Sequence, residues 1–300
     1  MGVTAPIVRR RVRLAPSAIP LIAGLSPIAL AVAARRSRAR DVGICALQMW
    51  AYAYAYKTPH DDPAAQAARV HVDYPLVLDR LLGLGETPTL RLQRALGRPR
   101  QIRPFDKPLV WTHWMWFMVP HATVLYLLLR RPQLFERGAV MMYAVFDLGS
   151  IAYHLAPTAP PWWATDGEDA ADGRGKAHEP AVRRMMAEYG EQFWRDRWGP
   201  LYSVLGGNPL AAMPSLHFAT SVMAAHLLSE AGSLPGAVGW TYTAALGFAL
   251  VYLGEHYLID LIGGVVLCEL IYRHGHRAAP ALSAAGRAIQ RLEALAHAQT

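Results

Sequence analysis

The hydrophobic positions of this chain gather into long blocks rather than into a narrow periodic stripe. Apolar stretches run over 108–129, 138–156, 209–228, 237–253 and 257–272, and each approaches the roughly 20 residues that cross a bilayer as a helix. A shorter, Tyr-rich block over 42–56 reads as a further span, its tyrosines at the interface where amphipathic rings are favoured. The pattern predicts an all-α membrane protein with six transmembrane helices. A soluble fold would leave these faces in need of cover.

Two long polar segments separate the blocks. In the first, 57–107, the runs Asp79-Arg80-Leu81-Leu82 and Leu90-Arg91-Leu92-Gln93-Arg94-Ala95-Leu96 carry apolar residues at helical spacing, which predicts short amphipathic helices on the membrane surface. The second, 157–208, opens with Pro157-Thr158-Ala159-Pro160-Pro161-Trp162-Trp163, which no helix absorbs and which predicts a loop of fixed shape. Its acidic, Gly-rich stretch 166–175 lacks the alternating oxygen ligands of a calcium loop and reads as a solvated turn. An extra hydrophobic segment over 17–34 is basic at both ends and interrupted by Pro20 and Pro27. It reads as uncleaved, because a basic cluster directly after the weak Ala31-Val32-Ala33 site disfavours export; a surface or re-entrant helix, an extra span and a cleaved signal peptide are the alternatives. The organisation expected is a basic N-terminal region over 1–41, a membrane domain over 42–273 and a tail over 274–300.

Over 300 residues, 53% hydrophobic and 17% charged composition suits either a large soluble domain or a membrane protein, so the distribution decides. The net charge of +8 invites a nucleic-acid reading. Yet the basic residues sit at the ends of apolar blocks, at Arg9-Arg10-Arg11, Arg35-Arg36, Arg130-Arg131 and 273–277, which points to the bilayer as partner and not to nucleic acid. Counting spans puts loop 130–137 and the tail on one side, cytoplasmic by their charge, and the histidine motifs on the extracytoplasmic side. The arginines of 57–107 run against this orientation, although long loops obey the charge rule less strictly. Two cysteines, Cys45 and Cys268, make neither a disulfide framework nor a thiolate metal site.

Chemistry concentrates at Met213-Pro214-Ser215-Leu216-His217 and Glu255-His256-Tyr257-Leu258-Ile259-Asp260. An ionisable side chain at the centre of a membrane helix costs about 2.5–3.5 kcal/mol on insertion scales, so two histidines and an aspartate there need a function. His256 and Asp260 are four apart, and on a helix the carboxylate would lie one turn from the imidazole and accept its Nδ1 proton. Taken alone, that pair reads as structural. His217 changes the weighing: Pro214 suits the first position of a helix, and the N–H groups of Ser215, Leu216 and His217 would then form an anion-binding end. His113, His121 and His226 have no such setting and read as core or interface residues.

Pro214-Ser215-Leu216-His217 and His256-Tyr257-Leu258-Ile259-Asp260 resemble the second and third signature motifs of the type 2 phosphatidic acid phosphatase (PAP2) superfamily, and most closely its inositol phosphorylceramide synthase and sphingomyelin synthase branch. Pro157-Thr158-Ala159-Pro160-Pro161-Trp162 resembles the Pro-Pro-Trp loop of the fungal synthases. The resemblance covers about 108–272 and is specific as a set. It implies a six-helix PAP2-type bundle in which His256 is the nucleophile, Asp260 its orienting partner and His217 the general acid. It also implies a phospholipid or lipid-phosphate substrate, an alcohol or water as acceptor, and no cofactor or metal. Two features depart from the phosphatases: Ala249-Leu250 stands where they carry Ser-Arg, and Arg103-Pro104 lacks a lysine at the proper spacing. The phosphate clamp must come from elsewhere, with Arg103, Lys107, Arg183, Arg184, Arg195 and Arg197 as candidates. The expected activity is lipid phosphotransfer or hydrolysis through a phosphohistidine. A plain lipid-phosphate phosphatase, a metal-dependent membrane hydrolase and a non-catalytic binding or transport protein with a buried His/Asp network are the rivals.

Overall fold

The computed structural model describes residues 18–57, 63–165, 182–205 and 208–298. The Arg9–Arg11 cluster and the whole of the 166–175 stretch lie outside the described residues. In chain order the helices are α1 (Ala18–Ala33), α2 (Arg38–Lys57), α3 (Pro63–Ala67), α4 (Asp73–Leu82), α5 (Pro88–Leu96), α6 (Asp106–Met115), α7 (Val119–Arg130) and α8 (Pro132–Leu155). They continue with α9 (Pro161–Ala164), α10 (Met185–Trp194), α11 (Trp198–Leu205), α12 (Leu216–Ala231), α13 (Ser233–Tyr252), α14 (Leu258–His274) and α15 (Ala279–His297). The architecture is all-helical; among the described residues only isolated β-bridges interrupt it.

α12 is the axis of the molecule, packed against α7, α8, α13 and α14. Its Ala219, Val222, Met223, Ala224 and Leu227 are buried in one cluster with Val124 and Leu127 of α7, Met142 and Phe146 of α8, and Cys268 and Ile271 of α14. This all-round burial explains why its sequence shows no polar face. The tightest partner is α13. A side chain at Gly236 would stand 2.8 Å from the Ser229 Cα, and one at Gly239 would stand 2.9 Å from the Ala225 Cα, so only glycine lets the two backbones approach this closely.

α8 and α13 are the two helices among the described residues long and apolar enough to cross a bilayer, judged by length and composition. They support a membrane association weakly and do not establish six spans. The block 108–129 is not one helix: a turn at Trp116–Met118 divides it into α6 and α7. The block 209–228 becomes helical only at Leu216.

The N-terminal hydrophobic segment forms α1, which carries Pro27 within it and folds back on α2 as a hairpin. α15 lies on α1, and Glu293 accepts from Arg36 Nη2 at 2.9 Å and Arg40 Nη1 at 3.0 Å. The hairpin meets the rest of the molecule through α2 and α8, where Gln48 Nε2 donates to Asp147 Oδ2 at 2.9 Å. In the polar segment, α4 and α5 form as their periodicity predicts. α4 buries Leu76 and Asp79 against α14 and leaves Val77, Leu78, Leu81 and Leu82 exposed.

Candidate active site

Two chain reversals build the site. α12 starts after Ser215, whose backbone is extended and whose Oγ accepts from Phe218 N at 3.3 Å, an N-cap of the preferred residue type. The expectation that Pro214 opens the helix and frees three N–H groups is therefore corrected. Ser215 N donates to the Asp260 carbonyl at 2.9 Å and Leu216 N to the Tyr153 hydroxyl at 3.3 Å, so the donors assigned to phosphate at Ser215 and Leu216 are spent inside the protein.

The second reversal joins α13 to α14. Gly254 takes φ +86°, and a side chain there would meet the Arg183 carbonyl oxygen at 2.5 Å, so the turn requires glycine. Glu255 N and His256 N then both donate to the Leu250 carbonyl at 3.1 Å, folding the loop onto the end of α13. His256 consequently precedes α14 and is not part of it, which corrects the expectation of a helical i,i+4 face. Asp260, in the first turn of α14, reaches back: its Oδ2 accepts from Tyr257 N at 2.9 Å and lies 3.2 Å from His256 Nδ1. Asp79 of α4 caps the same helix from outside, accepting from Ile259 N at 3.0 Å.

These reversals bring His217, His256 and Asp260 into one chain of contacts. His217 Nδ1 stands 3.1 Å from His256 Nε2, and His256 Nδ1 faces the Asp260 carboxylate. His256 is 4% and Asp260 0% exposed, so the pair is shielded from bulk solvent. With Asp260 holding the Nδ1 proton, His256 Nε2 carries a lone pair and accepts from His217.

A cationic wall stands beside this chain. Arg184 Nε donates to Glu255 Oε1 at 3.1 Å and Arg184 Nη2 donates to the Tyr202 hydroxyl at 2.6 Å, while the guanidinium lies 3.9 Å from the Trp162 ring centroid. The segment 157–163, expected as loop throughout, is loop only to Pro160, because Pro161 suits the first turn of a short helix and opens α9: Thr158 bridges His71 and Ala211, and α9 carries Trp162 under Arg184. Burial works against both charges of the ion pair. The partners prevail, so the Arg184 pKa is raised, and Arg184, then His113 and His256, hold Glu255 below the usual carboxylate value.

Other expected residues lie apart. Arg103 is tied to Asp106 at 3.3 Å and the Tyr252 hydroxyl at 3.2 Å. Arg183 is held by Glu188 and the carbonyls of Arg98 and Gln101. Lys107 stands 6.0 Å from the Tyr189 ring, and Arg195 and Arg197 are exposed in the turn before α11. Of the six basic candidates, Arg184 is the one joined to the loop that carries His256. His226 pairs with Glu269 and stacks on Tyr272, and His121 stacks on Phe146, as a packing role predicts. His113 does not fit that role: its ring centroid lies 4.9 Å from that of His217.

An apolar groove of about 490 Å³ opens on the flank of the site, lined by Leu92, Phe218, Phe248, Val251 and Leu261 among others. Phe218 follows His217 directly, so the groove and the imidazoles share one helix end. A search of the curated proteins and a search of solved structures gave no match. A family model described as the PAP2 superfamily matches residues 76–273, a stretch that runs from within α4 to the last turn of α14 and holds every residue of the His217, His256 and Asp260 chain. The chain belongs to the PAP2 superfamily.

Proposed function

We propose that the protein is a membrane lipid phosphotransferase or phosphatase acting through a phosphohistidine on His256, with its site on the extracytoplasmic side and with chemistry like that of the inositol phosphorylceramide synthases. Membership of the superfamily supports phosphatase or phosphotransferase activity on lipid phosphates. The observation that carries the mechanism is the contact chain His217, His256, Asp260. Asp260 fixes His256 with its proton on Nδ1, and the Nε2 lone pair attacks phosphorus. As the Nε2–P bond forms, the P–O bond to the leaving alcohol breaks, and its electron pair takes a proton from His217, which enters this step as the imidazolium and leaves it as the neutral imidazole. His217, now a base, accepts the proton of the incoming alcohol or water, whose oxygen displaces Nε2 and restores both histidines. The resting hydrogen bond between the rings occupies the nucleophile, so the phosphoryl group must part them on entering.

The groove beside Phe218 suits the acyl chains of a lipid, since it starts at the residue next to the general acid. Arg184 suits the phosphate or head group: its planar fork matches phosphate oxygens, and Glu255 and Trp162 hold it in place until substrate arrives. The catalytic domain is the 42–273 region.

The roles of the histidines separate by leaving group. His256→Ala abolishes turnover on every substrate, because no covalent intermediate forms. His217→Ala loses on the order of 10²–10⁴-fold on a lipid ester and recovers most of it on a nitrophenyl-type phosphoester, whose oxygen departs without a proton. Steady-state rates of both variants on both substrates decide. Equal losses for His217→Ala on the two substrates contradict its role as acid, and activity in His256→Ala reassigns the nucleophile.

A further inference from the structure

His113 stands on α6 in register with Asp106 and Val110, the three buried residues of that helix, and so on its inner face. It is 8% exposed, and neither ring nitrogen has a hydrogen-bond partner. Two orphaned nitrogens on one buried imidazole are costly, since buried polar atoms are normally satisfied. The ring is nevertheless aimed into the site. Its centroid lies 4.9 Å from that of His217, and it contributes to the field felt by Glu255, beside His256. Trp116, one turn on, also stands against His217, at 4.1 Å between ring centroids, and is anchored by its own bond to Thr220 Oγ1 at 2.8 Å. His113 is thus held in place without a partner of its own, beside the space into which a phosphoryl group must come.

We propose that His113 is a third histidine of the catalytic centre, a phosphate-contacting residue that donates a ring N–H to a non-bridging phosphoryl oxygen during transfer. The inference rests on the phosphohistidine reading above. In the transfer step the bonds made and broken are those at Nε2 of His256 and at the leaving oxygen. His113 exchanges no proton and steadies the charge that collects on the equatorial oxygens. Its orphaned nitrogens are then the empty half of a hydrogen bond that substrate completes. This role differs from that of His217, because charge on the equatorial oxygens builds whatever the leaving group.

The test uses the full chain in lipid vesicles, with His113→Phe, which keeps the ring and loses both nitrogens, and His113→Gln, which restores an N–H donor. Turnover is measured on a lipid phosphate ester and on a nitrophenyl-type phosphoester, together with inhibition by vanadate and the melting temperature. The proposal expects His113→Phe to melt no lower than wild type, to lose about 100-fold on both substrates and to bind vanadate about tenfold more weakly or worse, with partial recovery in His113→Gln. A stable His113→Phe with wild-type turnover and vanadate inhibition overturns it. So does a loss confined to the lipid ester, which would make His113 an accessory to His217. If His113→Phe melts early, His113→Gln decides: wild-type vanadate inhibition with turnover lost in proportion to folded protein assigns a packing role instead. A wild-type chain that neither turns over nor binds vanadate removes the phosphohistidine reading and this inference together, whereas an active wild type with unaffected variants removes this inference alone.

Discussion

Asp79 and Asp260 serve the first turn of one helix from opposite directions, and their settings give them different chemistry. Asp260 turns its Oδ2 to Tyr257 N and His256, whereas Asp79 meets only backbone, at Ile259 N. Burial lifts the Asp79 carboxyl from 3.8 to about 6, against the Ile259 N–H and with neighbouring Asp260 adding to the rise. The folded chain therefore binds this proton more tightly than the unfolded chain. Its contribution to stability is fully present below 3.8 and is lost as pH rises through about 6. At about 1.4 kcal/mol for each pH unit between the two values, the loss is on the order of 3 kcal/mol. Asp79→Asn keeps an acceptor for Ile259 and should flatten that decline, which melting temperatures of both proteins in detergent from pH 4 to 8 will read. The Arg184 and Glu255 pair gives a second prediction at this scale. Arg184→Met leaves a buried carboxylate without its cation and should cost roughly 3 kcal/mol, while adding Glu255→Gln should return most of it. A double variant no more stable than Arg184→Met would show that the guanidinium's place on Trp162 matters more than the charge.

At the scale of elements, the site depends on how helices begin. Gly254→Ala forces a side chain into a φ +86° turn and onto the Arg183 carbonyl, at a cost of about 2 kcal/mol, and displaces the Glu255 and His256 N–H groups from Leu250. Activity should fall well beyond the share of protein unfolded; a variant with wild-type kcat would show that the loop tolerates the shift. The helix starts also mark what the sequence made legible. The spacing of His256 and Asp260 suits the repeat of a helix, yet the pairing comes from a loop folded back on a first turn. Both geometries bring a residue near another four positions on, so spacing alone cannot tell them apart. At α12 the fixed φ of Pro214 competes with Ser215 as the opening signal. Ser215 carries the stronger cap chemistry, and that signal was present. The break at Trp116–Met118 was hidden because its residues are as apolar as the helices on either side.

Across the whole molecule, hydropathy identified the helical class and most helices, and the motif set marked His217, His256 and Asp260, which the fold joins in one chain of contacts, since these signals lie within contiguous stretches. His113 escaped because one histidine in an apolar run has no local signal; its meaning arises from a contact with His217, more than a hundred residues on. Its one trace was a helical register shared with Asp106. The proposed orientation is testable on the same scale. In a background without Cys45 and Cys268, a cysteine at Gln192 should react with an impermeant thiol reagent on intact cells and one at Ser233, the first residue of α13, should not; the reverse pattern would turn the site to the cytoplasm. The junction of Arg36 and Arg40 with Glu293 bears on how the chain is made. The acid lies 253 residues after Arg40, so a ribosome releases the hairpin long before it supplies the counter-charge. Until then the carbonyls of Ala31 and Ala34 hold Arg40 Nη1, and closure of α15 onto α1 waits for Glu293 to be made.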